Sequence, residues 1–239
     1  MLKQFVIRTF LKAFRIMFCP SHHVNDKAVS VSGILLAGGE SRRMGGINKA
    51  LLKIGDHSIV ELVSHVLQEI FSEVLVITNS PRDFEFLELP MFRDIIPGRG
   101  SLGGLYTGLK ACAGDYAFLV ACDMPFLSKE AIMYILERAQ GYDVVVPRIS
   151  GMLEPLHALY SQRCLPYIEE LLAAEDLKII DFFHKAKVLE VPGEDLQQFD
   201  PQLLFIMNIN TPDDLNEARE LDKKRMERQA NVSCFTESQ

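Results

Sequence analysis

From Val31 onward, short apolar runs alternate with longer segments in which apolar residues recur every three or four positions. Short apolar runs are typical of buried strands, and the wider spacing is typical of amphipathic helices. The predicted strands are Ser32–Ala37, Glu73–Thr78, Phe92–Ile96, Tyr116–Ala121, Asp143–Pro147, Lys187–Val191 and Leu204–Met207. The predicted helices are Ser58–Ile70, Pro81–Glu88, Leu102–Cys112, Ser128–Ala139, Leu165–Ala174 and a last helix from Pro212. One further apolar segment, Leu153–Tyr160, belongs to the same series.

Two of the predicted helices carry clear start signals. Ser58 and Glu61 have the spacing of a capping box. Thr211 is followed by Pro212 and two aspartates, which supply an N-cap, a proline at the first helical position and negative charge for the helix dipole. Strands and helices that alternate in this way predict an α/β fold with three layers, in which helices cover both faces of a mostly parallel central sheet.

The length of the chain indicates one large domain with an extension at each end. A chain of 239 residues can bury a sizeable core. We expect a basic N-terminal extension and linker at residues 1–30, the domain at residues 31–225 and a polar C-terminal tail at residues 226–239. The first 19 residues carry basic side chains between apolar ones and no acidic side chain. Two interpretations stay open for them: a poorly ordered extension, or an amphipathic helix that contacts anionic lipid or a partner.

Charge and cysteine usage narrow the class of protein. The formal net charge is -7, and 48% of the residues are hydrophobic. This acidic balance argues against general binding to nucleic acid or to a membrane surface, because both require a basic field. No apolar run reaches the roughly 20 residues of a membrane-spanning helix, so no transmembrane segment is predicted. The five cysteines show no metal-ligand spacing, which favours free thiols and a cytoplasmic location.

Small or polar residues follow several of the predicted strands. In a parallel sheet the carboxyl ends of the strands meet at one edge, where ligands bind. The residues expected at this edge are Ala37, Gly38 and Gly39 after the first strand, Asn79, Asp94, Cys122 with Asp123, and Asn208 to Asn210. We therefore expect the chemistry of the protein at this edge.

The segment after the first strand is rich in glycine and in positive charge. Two glycine pairs allow close backbone approach to a phosphate chain, and three cationic side chains can donate to its oxygens. The residues are Gly38, Gly39, Gly45, Gly46, Arg42, Arg43 and Lys49. The alternative interpretation is a flexible glycine turn with a solvated basic surface.

Two standard nucleotide-binding motifs are absent from this segment. In a P-loop the lysine follows a glycine directly and precedes Ser or Thr, whereas here two residues separate Gly46 from Lys49, and Ala50 comes next. The dinucleotide fingerprint GxGxxG also fails, because these glycines are adjacent.

The stretch from Leu36 to Leu52, LAGGESRRMGGINKALL, resembles the signature LAGG-x-S-x-RMG-x-DK-x-L of the molybdenum cofactor guanylyltransferases. Later segments are similar to further motifs of that family and occur in the same order. They are Asp94 with the GSLGGL segment from Gly100, the ACDMP segment from Ala121, the EPLHALY segment from Glu154 and the NINTPDDL segment from Asn208. The ordered matches cover roughly residues 31–221.

The resemblance implies a Rossmann-like nucleotidyltransferase fold and one reaction. In that reaction the terminal phosphate of molybdopterin, or of Mo-molybdopterin, attacks the α-phosphate of GTP. Pyrophosphate leaves, and the guanine dinucleotide form of the cofactor results. The resemblance also implies Mg²⁺ as the cofactor and delivery of the product to molybdoenzyme chaperones.

Roles for individual residues follow from the same resemblance. The GTP-binding set is Leu36, Ala37, Gly38, Gly39, Lys49, Asn79, Asp94 and Asp123. The catalytic set is Lys49, Asp123 and Arg43. Asp123 suits Mg²⁺, which prefers one or two carboxylates and completes its shell with phosphates and water. Lys49 and Arg43 would neutralise charge on the departing pyrophosphate.

Three residues leave questions open, and a fourth is assigned to the core. Asn48 and Ser101 stand where the family pattern has aspartate and proline, which puts in doubt a charge before Lys49 and the rigidity of the segment after Gly100. His157 has two interpretations, a residue that lines the molybdopterin side and a buried structural histidine. Cys122, which alternates with Asp123, is interpreted as a core residue and not as a nucleophile.

Alternative functions also remain. A related enzyme would use CTP on molybdopterin, or act on another phosphorylated acceptor. A protein of a different class would bind nucleotide without catalysis, as a sensor or an adaptor. The presence of Lys49, Asp94 and Asp123 together argues for an enzyme.

Overall fold

The structure, a computed structural model, describes residues 29–38 and 48–236, with side chains through residue 227. Its strands are β1 Val31–Leu36, β2 Lys53–Ile54, β3 His57–Ser58, β4 Val74–Ile77, β5 Met91–Phe92, β6 Tyr116–Ala121, β7 Val144–Ile149, β8 Met152–Leu153, β9 His157–Ser161 and β10 Val188–Pro192. The α-helices are α1 Ile59–Ile70, α2 Gly100–Ala111, α3 Lys129–Leu136, α4 Leu165–Ala173, α5 Gly193–Leu196 and α6 Pro212–Thr236. Short 3-10 helices cover Lys49–Leu51, Pro81–Leu87, Gln162–Cys164, Ile179–Lys185 and Leu204–Ile206.

The central sheet has the strand order β10-β7-β9-β6-β1-β4-β5, with β8 paired to the carboxyl end of β7. Strand β1 is parallel to both of its neighbours, and β5 and β10 are parallel to theirs. Strand β9 runs antiparallel between β6 and β7. The predicted mostly parallel sheet is confirmed, and the carboxyl ends of β1, β4, β5, β6 and β7 share one edge.

Helices cover both faces of this sheet, and each face has its own hydrophobic core. Leu35 of β1 belongs to the core that includes Val63 of α1. Ile34 and Leu36, its neighbours on the strand, belong to the core that includes Leu105 of α2. Because successive side chains of a strand point to opposite faces, β1 contributes to both cores and is buried from Ser32 onward. The predicted three-layer α/β architecture is confirmed.

Both predicted helix starts are present. The backbone N–H of Ser58 donates to Glu61 Oε2 at 2.7 Å in a capping box that begins α1. The hydroxyl of Ser58 donates to the same oxygen at 2.6 Å, and this bond, together with the backbone bond, lowers the pKa of Glu61. At α6, the backbone N–H of Asp214 donates to Thr211 Oγ1 at 3.1 Å. In both helices the cap occupies backbone groups that would otherwise have no partner in the first turn.

Two strand predictions are wrong. The segment Phe92–Ile96 contains only the end of β5, because the backbone N–H of Ile95 donates to Thr107 Oγ1 of α2 and not to a neighbouring strand. The segment Leu204–Met207 contains a 3-10 helix, because the carboxylate of Asp200 accepts the backbone N–H of Phe205 at 2.9 Å. In each case a side chain takes the hydrogen bond that a strand would have used.

The ends of the chain bear on the predicted domain limits. Strand β1 begins at the predicted start of the domain, whereas the extension lies outside the described residues except for residues 29–30. Helix α6 continues to Thr236, past the predicted start of the polar tail. Within the part of the chain that the structure describes, no helix has the length and apolarity needed to cross a membrane.

Candidate active site

The end of β1 is held by backbone hydrogen bonds to the strands on either side. The N–H of Ala37 donates to Ile77 O of β4 at 3.0 Å, and the carbonyl of Leu36 accepts from Cys122 N at 3.0 Å. The side chains of Leu36 and Ala37 are buried, and Gly38 is the first exposed residue. At this strand end, Gly38 is therefore the residue that is open to a ligand, and Leu36 and Ala37 are almost completely covered.

Part of the glycine-rich segment lies outside the described residues. Gly39 and Arg43, both in the predicted site, fall in the undescribed range 39–47. The description resumes at Asn48, which caps the 3-10 helix Lys49–Leu51 by accepting from Ala50 N at 3.2 Å. The amide of Asn48 also lies 3.5 Å from Asp83 Oδ2, so an aspartate at this position would place a second carboxylate beside Asp83.

Lys49 contacts a residue far away in the sequence. Its ammonium donates to Asn210 Oδ1 at 3.2 Å, across 161 positions of the chain. Asn210 lies in the loop before α6, and its backbone N–H donates to Asp214 Oδ2 at 2.8 Å. The neighbouring N–H of Thr211 donates to the same oxygen, and these two bonds lower the pKa of Asp214. The first turn of α6 thus fixes the residue that orients Lys49.

Asp123 follows β6 at the same edge of the sheet. Its carbonyl accepts from Ile209 N at 2.9 Å, which joins this strand end to the loop that carries Asn210. Its carboxyl is largely buried, and Oδ1 has no hydrogen-bond partner. Burial raises the pKa of Asp123, while its own backbone and the charge of Lys49 act in the opposite direction. The structure therefore brings an unsatisfied carboxyl oxygen and the Lys49 ammonium to one region.

An unsatisfied buried oxygen of this kind fits a divalent cation. Buried polar atoms are hydrogen-bonded in most proteins, so an exception points to a missing ion or ligand. Among the described residues, no three His, Cys, Asp or Glu side chains cluster as a metal site. A magnesium ion on Asp123 would therefore depend on substrate phosphates and water for the rest of its shell, which is its usual way of binding.

Cys122 is a neutral thiol. Burial, and after it the charge of Asp123, raise the pKa of Cys122 to about 12. Because the thiolate is the nucleophilic form of cysteine, this side chain has no reactive form at neutral pH. Cys122 is partly buried and packs against the core that includes Leu35, which agrees with its interpretation as a core residue.

Asn79 and Asp94 form a pair after β4 and β5. The amide of Asn79 donates to Asp94 Oδ2 at 2.7 Å, and the backbone N–H of Asp94 donates to Asn79 Oδ1 at 3.2 Å. Arg93 donates to the carbonyl of Asn79 at 2.9 Å. The side chains of Asn79 and Asp94 orient each other. They lie on the side of β1 opposite Asp123, so this edge of the sheet has separate polar groups on the two sides of β1.

Gly103 and Gly104 lie within α2, where they serve packing. Both glycines belong to the GSLGGL segment and are buried. A Cβ on Gly104 would lie 2.8 Å from Leu36 Cδ2, and a Cβ on Gly103 would lie 2.8 Å from Arg99 Cβ. Ser101 is in the first turn of the same helix, so the segment is ordered without the proline of the family pattern.

His157 is a buried structural residue. It is completely buried on β9, in edge-to-face contact with Phe118 at a centroid distance of 5.1 Å. Burial lowers the pKa of His157 to about 3, so the ring is neutral. A residue without exposed surface does not line a substrate site, which decides between the two interpretations from the sequence.

A cavity of about 570 Å³ lies at the opposite end of the strands. Its lining includes Asp143 before β7 and Lys187 before β10, and none of the predicted site residues. Two of the cations beside it are paired with carboxylates, Arg163 with Asp143 and Lys185 with Glu170. This cavity is separate from the edge that carries Lys49 and Asp123.

Two contributions at the site are not apparent from the sequence. Asn210 appears there only as a polar residue after a predicted strand, and Asp214 only as a charge for the helix dipole. Asn210 contacts Lys49, and Asp214 contacts the backbone of Asn210. Both contacts depend on the loop before α6 packing against the end of β6. The one available signal is the Asn-x-Asn-Thr-Pro-x-Asp pattern, in which a polar pair directly precedes a capped helix.

The chain is similar to proteins of known family. Residues 33–188 match the family model described as a MobA-like NTP transferase domain. A probable molybdenum cofactor guanylyltransferase of Pelotomaculum thermopropionicum is 40% identical over 191 residues, which cover 80% of this chain and 93% of that protein. The molybdenum cofactor guanylyltransferase of Desulfosudis oleivorans is 36% identical over 190 residues, which cover 79% of this chain and 94% of that protein.

Solved structures share the fold. The molybdopterin-guanine dinucleotide biosynthesis protein A of Archaeoglobus fulgidus superimposes with a TM-score of 0.71 and 27% identity, over 81% of this chain and 99% of that chain. The 2-C-methyl-D-erythritol 4-phosphate cytidylyltransferase of Thermus thermophilus gives a TM-score of 0.61 with 18% identity, over 81% and 99%. The second likeness shows the fold alone.

Proposed function

Because the chain belongs to the MobA-like NTP transferase family and is a nucleotidyltransferase, we propose that it transfers GMP from GTP to molybdopterin. A terminal phosphate oxygen of the acceptor attacks the α-phosphorus of GTP. The bond from that phosphorus to the bridging oxygen of the β-phosphate breaks, and pyrophosphate leaves with the bonding electrons. The product is the guanine dinucleotide form of the cofactor, whether or not the acceptor already carries molybdenum.

The observation that carries this proposal is the approach of Lys49 to Asp123. Phosphoryl transfer depends on positioning and on neutralising charge, and a phosphate nucleophile needs no general base. Lys49, oriented by Asn210, supplies a fixed positive charge for the phosphates. The carboxyl of Asp123 is buried and lacks a partner on Oδ1. A cationic group and an anionic group at one strand edge suit a triphosphate that binds with a metal ion.

Magnesium is the cofactor that this site suits best. Asp123 would hold it, and the ion would supply positive charge that polarises the phosphates of GTP. Arg43, which the family pattern places in the same segment as Lys49, would neutralise the departing pyrophosphate. Gly39, in that segment, would approach the phosphate chain through its backbone.

The guanine and ribose would lie over β1, β4 and β5. The exposed backbone at Gly38 and the paired side chains of Asn79 and Asp94 offer polar groups on that side. Their mutual hydrogen bonds hold them in place before the nucleotide binds, which reduces the entropy lost on binding. Leu36 and Ala37 would contribute backbone contacts only.

The choice of nucleotide is tested by incubating the full chain with molybdopterin, Mg²⁺ and each nucleoside triphosphate in turn. We expect pyrophosphate release with GTP and little with CTP, and no release when the acceptor is omitted. Release with CTP instead of GTP would make this a cytidylyltransferase, a class that shares the fold. Binding of GTP without any release would indicate a nucleotide sensor or an adaptor.

We also propose that the enzyme works in the cytoplasm and passes its product to molybdoenzyme chaperones. The described cysteines Cys112, Cys122 and Cys164 are free thiols, as is typical of a reducing compartment.

A further inference from the structure

Glu154 lies at the same edge of the sheet as Asp123, on the side away from Asn79 and Asp94. Its backbone N–H donates to Pro147 O of β7 at 3.0 Å, and its carbonyl accepts from His157 N of β9 at 3.0 Å. Two residues later, the carbonyl of Leu156 accepts from Ala121 N at the end of β6. The backbone of Glu154 therefore fixes this residue between the carboxyl ends of β6 and β7.

The side chain of Glu154 is half-buried and takes no part in this backbone arrangement. Within the described ranges, its carboxylate accepts no hydrogen bond and forms no ion pair. Burial alone raises its pKa, with no opposing contribution from a donor or a positive charge. A half-buried acid without a partner destabilises the fold, and such groups occur where a ligand supplies the partner.

Building on the proposed function, we propose that Glu154 binds the pterin ring of the acceptor. A pterin presents a ring N–H and a 2-amino group side by side, and the two oxygens of a carboxylate can accept both at once. Asp123 would meet the phosphate end of the same molecule, and Glu154 the opposite end. Glu154 is then a specificity-determining residue that recognises the ring of the acceptor.

The two carboxyl groups belong to different strand ends. Asp123 follows β6, whereas Glu154 lies between β8 and β9 and is bonded through its backbone N–H to Pro147 of β7. Glu154 is therefore placed to contact a different part of the substrate from Asp123.

Kinetics of the Glu154→Gln variant of the full chain test this role. We expect the KM for molybdopterin to rise by about 10- to 100-fold, because one of two charge-assisted hydrogen bonds is lost. The KM for GTP should stay within about twofold of the wild-type value. The melting temperature should not fall, since the carboxylate has no structural partner. Glu217→Gln, an exposed glutamate on α6, serves as the matched control and should leave both constants unchanged.

Guanine carries the same pair of donors as a pterin, so a second comparison assigns the contact to one substrate. Inosine triphosphate lacks the 2-amino group. If Glu154 contacts the acceptor, Glu154→Gln keeps the wild-type preference for GTP over inosine triphosphate. Loss of that preference would move Glu154 to the nucleotide site and overturn the proposal. An unchanged KM for molybdopterin would also overturn it.

These outcomes are separable from failure of the proposed function. If the wild-type protein releases no pyrophosphate with GTP and molybdopterin, the transfer reaction itself is wrong. If the wild type is active and the variant has unchanged constants, only the assignment of Glu154 is wrong. Partial recovery of the KM by Glu154→Asp, which keeps the charge on a shorter side chain, supports recognition by the carboxylate.

Discussion

His157 shows how one buried group sets a pH dependence for the whole domain. Its ring lies against Phe118 and Phe205, with centroid distances of 5.1 Å and 4.8 Å. Neither ring nitrogen has a hydrogen-bond partner. The pKa of His157 is lowered to about 3 by burial, from an ordinary value near 6.5 in the unfolded chain. Below about pH 6.5, the unfolded chain therefore binds a proton that the folded protein does not.

Stability should consequently fall as the pH falls. The loss from this group is roughly 1.4 kcal/mol per pH unit below the unfolded pKa, or about 2 kcal/mol at pH 5. His157→Leu removes the titrating group and keeps an apolar side chain of similar size. We expect the stability of this variant relative to wild type to increase by about 2 kcal/mol between pH 7 and pH 5. Urea unfolding at both pH values measures the difference, and a pH-independent difference would contradict the assignment.

The register of β9 explains why the sequence left His157 undecided. His157 pairs with Val120 of β6, which directs its side chain to the core that contains Phe118. A shift of one residue would have turned it to the other face. The local sequence shows the alternation of apolar residues but does not identify the partner strand. The place of His157 in an apolar segment was therefore predictable, and the burial of its side chain was not.

Helix α2 packs on β1 through glycines on one of its faces. Gly104 and Gly108 are one turn apart, and a Cβ on either would overlap β1 side chains. On Gly108 the added atom would lie 2.4 Å from Ile34 Cδ1 and 2.9 Å from Ile34 Cγ2. Since Ile34 is fully buried and β-branched, it has little freedom to move away. The close approach holds the helix against the strand that leads to the site.

Gly108→Ala should therefore destabilise the protein despite the higher helix propensity of alanine. Overpacking typically costs about 1–3 kcal/mol, against a gain of roughly 1 kcal/mol from propensity. We expect a net loss of up to about 2 kcal/mol in the free energy of unfolding. Ser101→Ala, an exposed site on the same helix, should change it by less than about 0.5 kcal/mol. A more stable Gly108→Ala variant would show that α2 is not held by this contact.

Strands and helices were predicted best where the sequence contains both a regular spacing of apolar residues and a clear signal at the start or end of the element. The strand Tyr116–Ala121 was predicted with the bounds that the structure shows, and the end of α1 was also correct. The apolar segment Leu153–Tyr160 divides between β8 and β9. Glu154 lies between these two strands, with its N–H bonded to β7 and its carbonyl bonded to β9. The antiparallel direction of β9 was not predictable, because apolar alternation is the same in both directions.

At the scale of the whole molecule, the site depends on contacts between distant parts of the chain. The order of strand ends predicted the edge at which Asn79, Asp94 and Asp123 lie. It did not predict the contact of Lys49 with Asn210, because the loop before α6 reaches the site through a backbone bond from Ile209 to Asp123. Such contacts between parts of the chain far apart in sequence exist only in the folded molecule, and the functional roles of these residues stay predictions.

The central claim is that Lys49 and Asp123 act on one triphosphate, and Asp123→Asn tests it most directly. Asp115 provides the control, since it precedes β6 at the opposite end of the same strand. The measurement is a single turnover of GTP labelled in the α-phosphate with Mg²⁺ and molybdopterin. Wild type and Asp115→Asn should place the label in the guanine dinucleotide product. Asp123→Asn should be slower by at least about 100-fold, with an unchanged or raised melting temperature because a buried charge is removed. Wild-type turnover in Asp123→Asn, or a wild-type product without the α-phosphate label, would contradict the account.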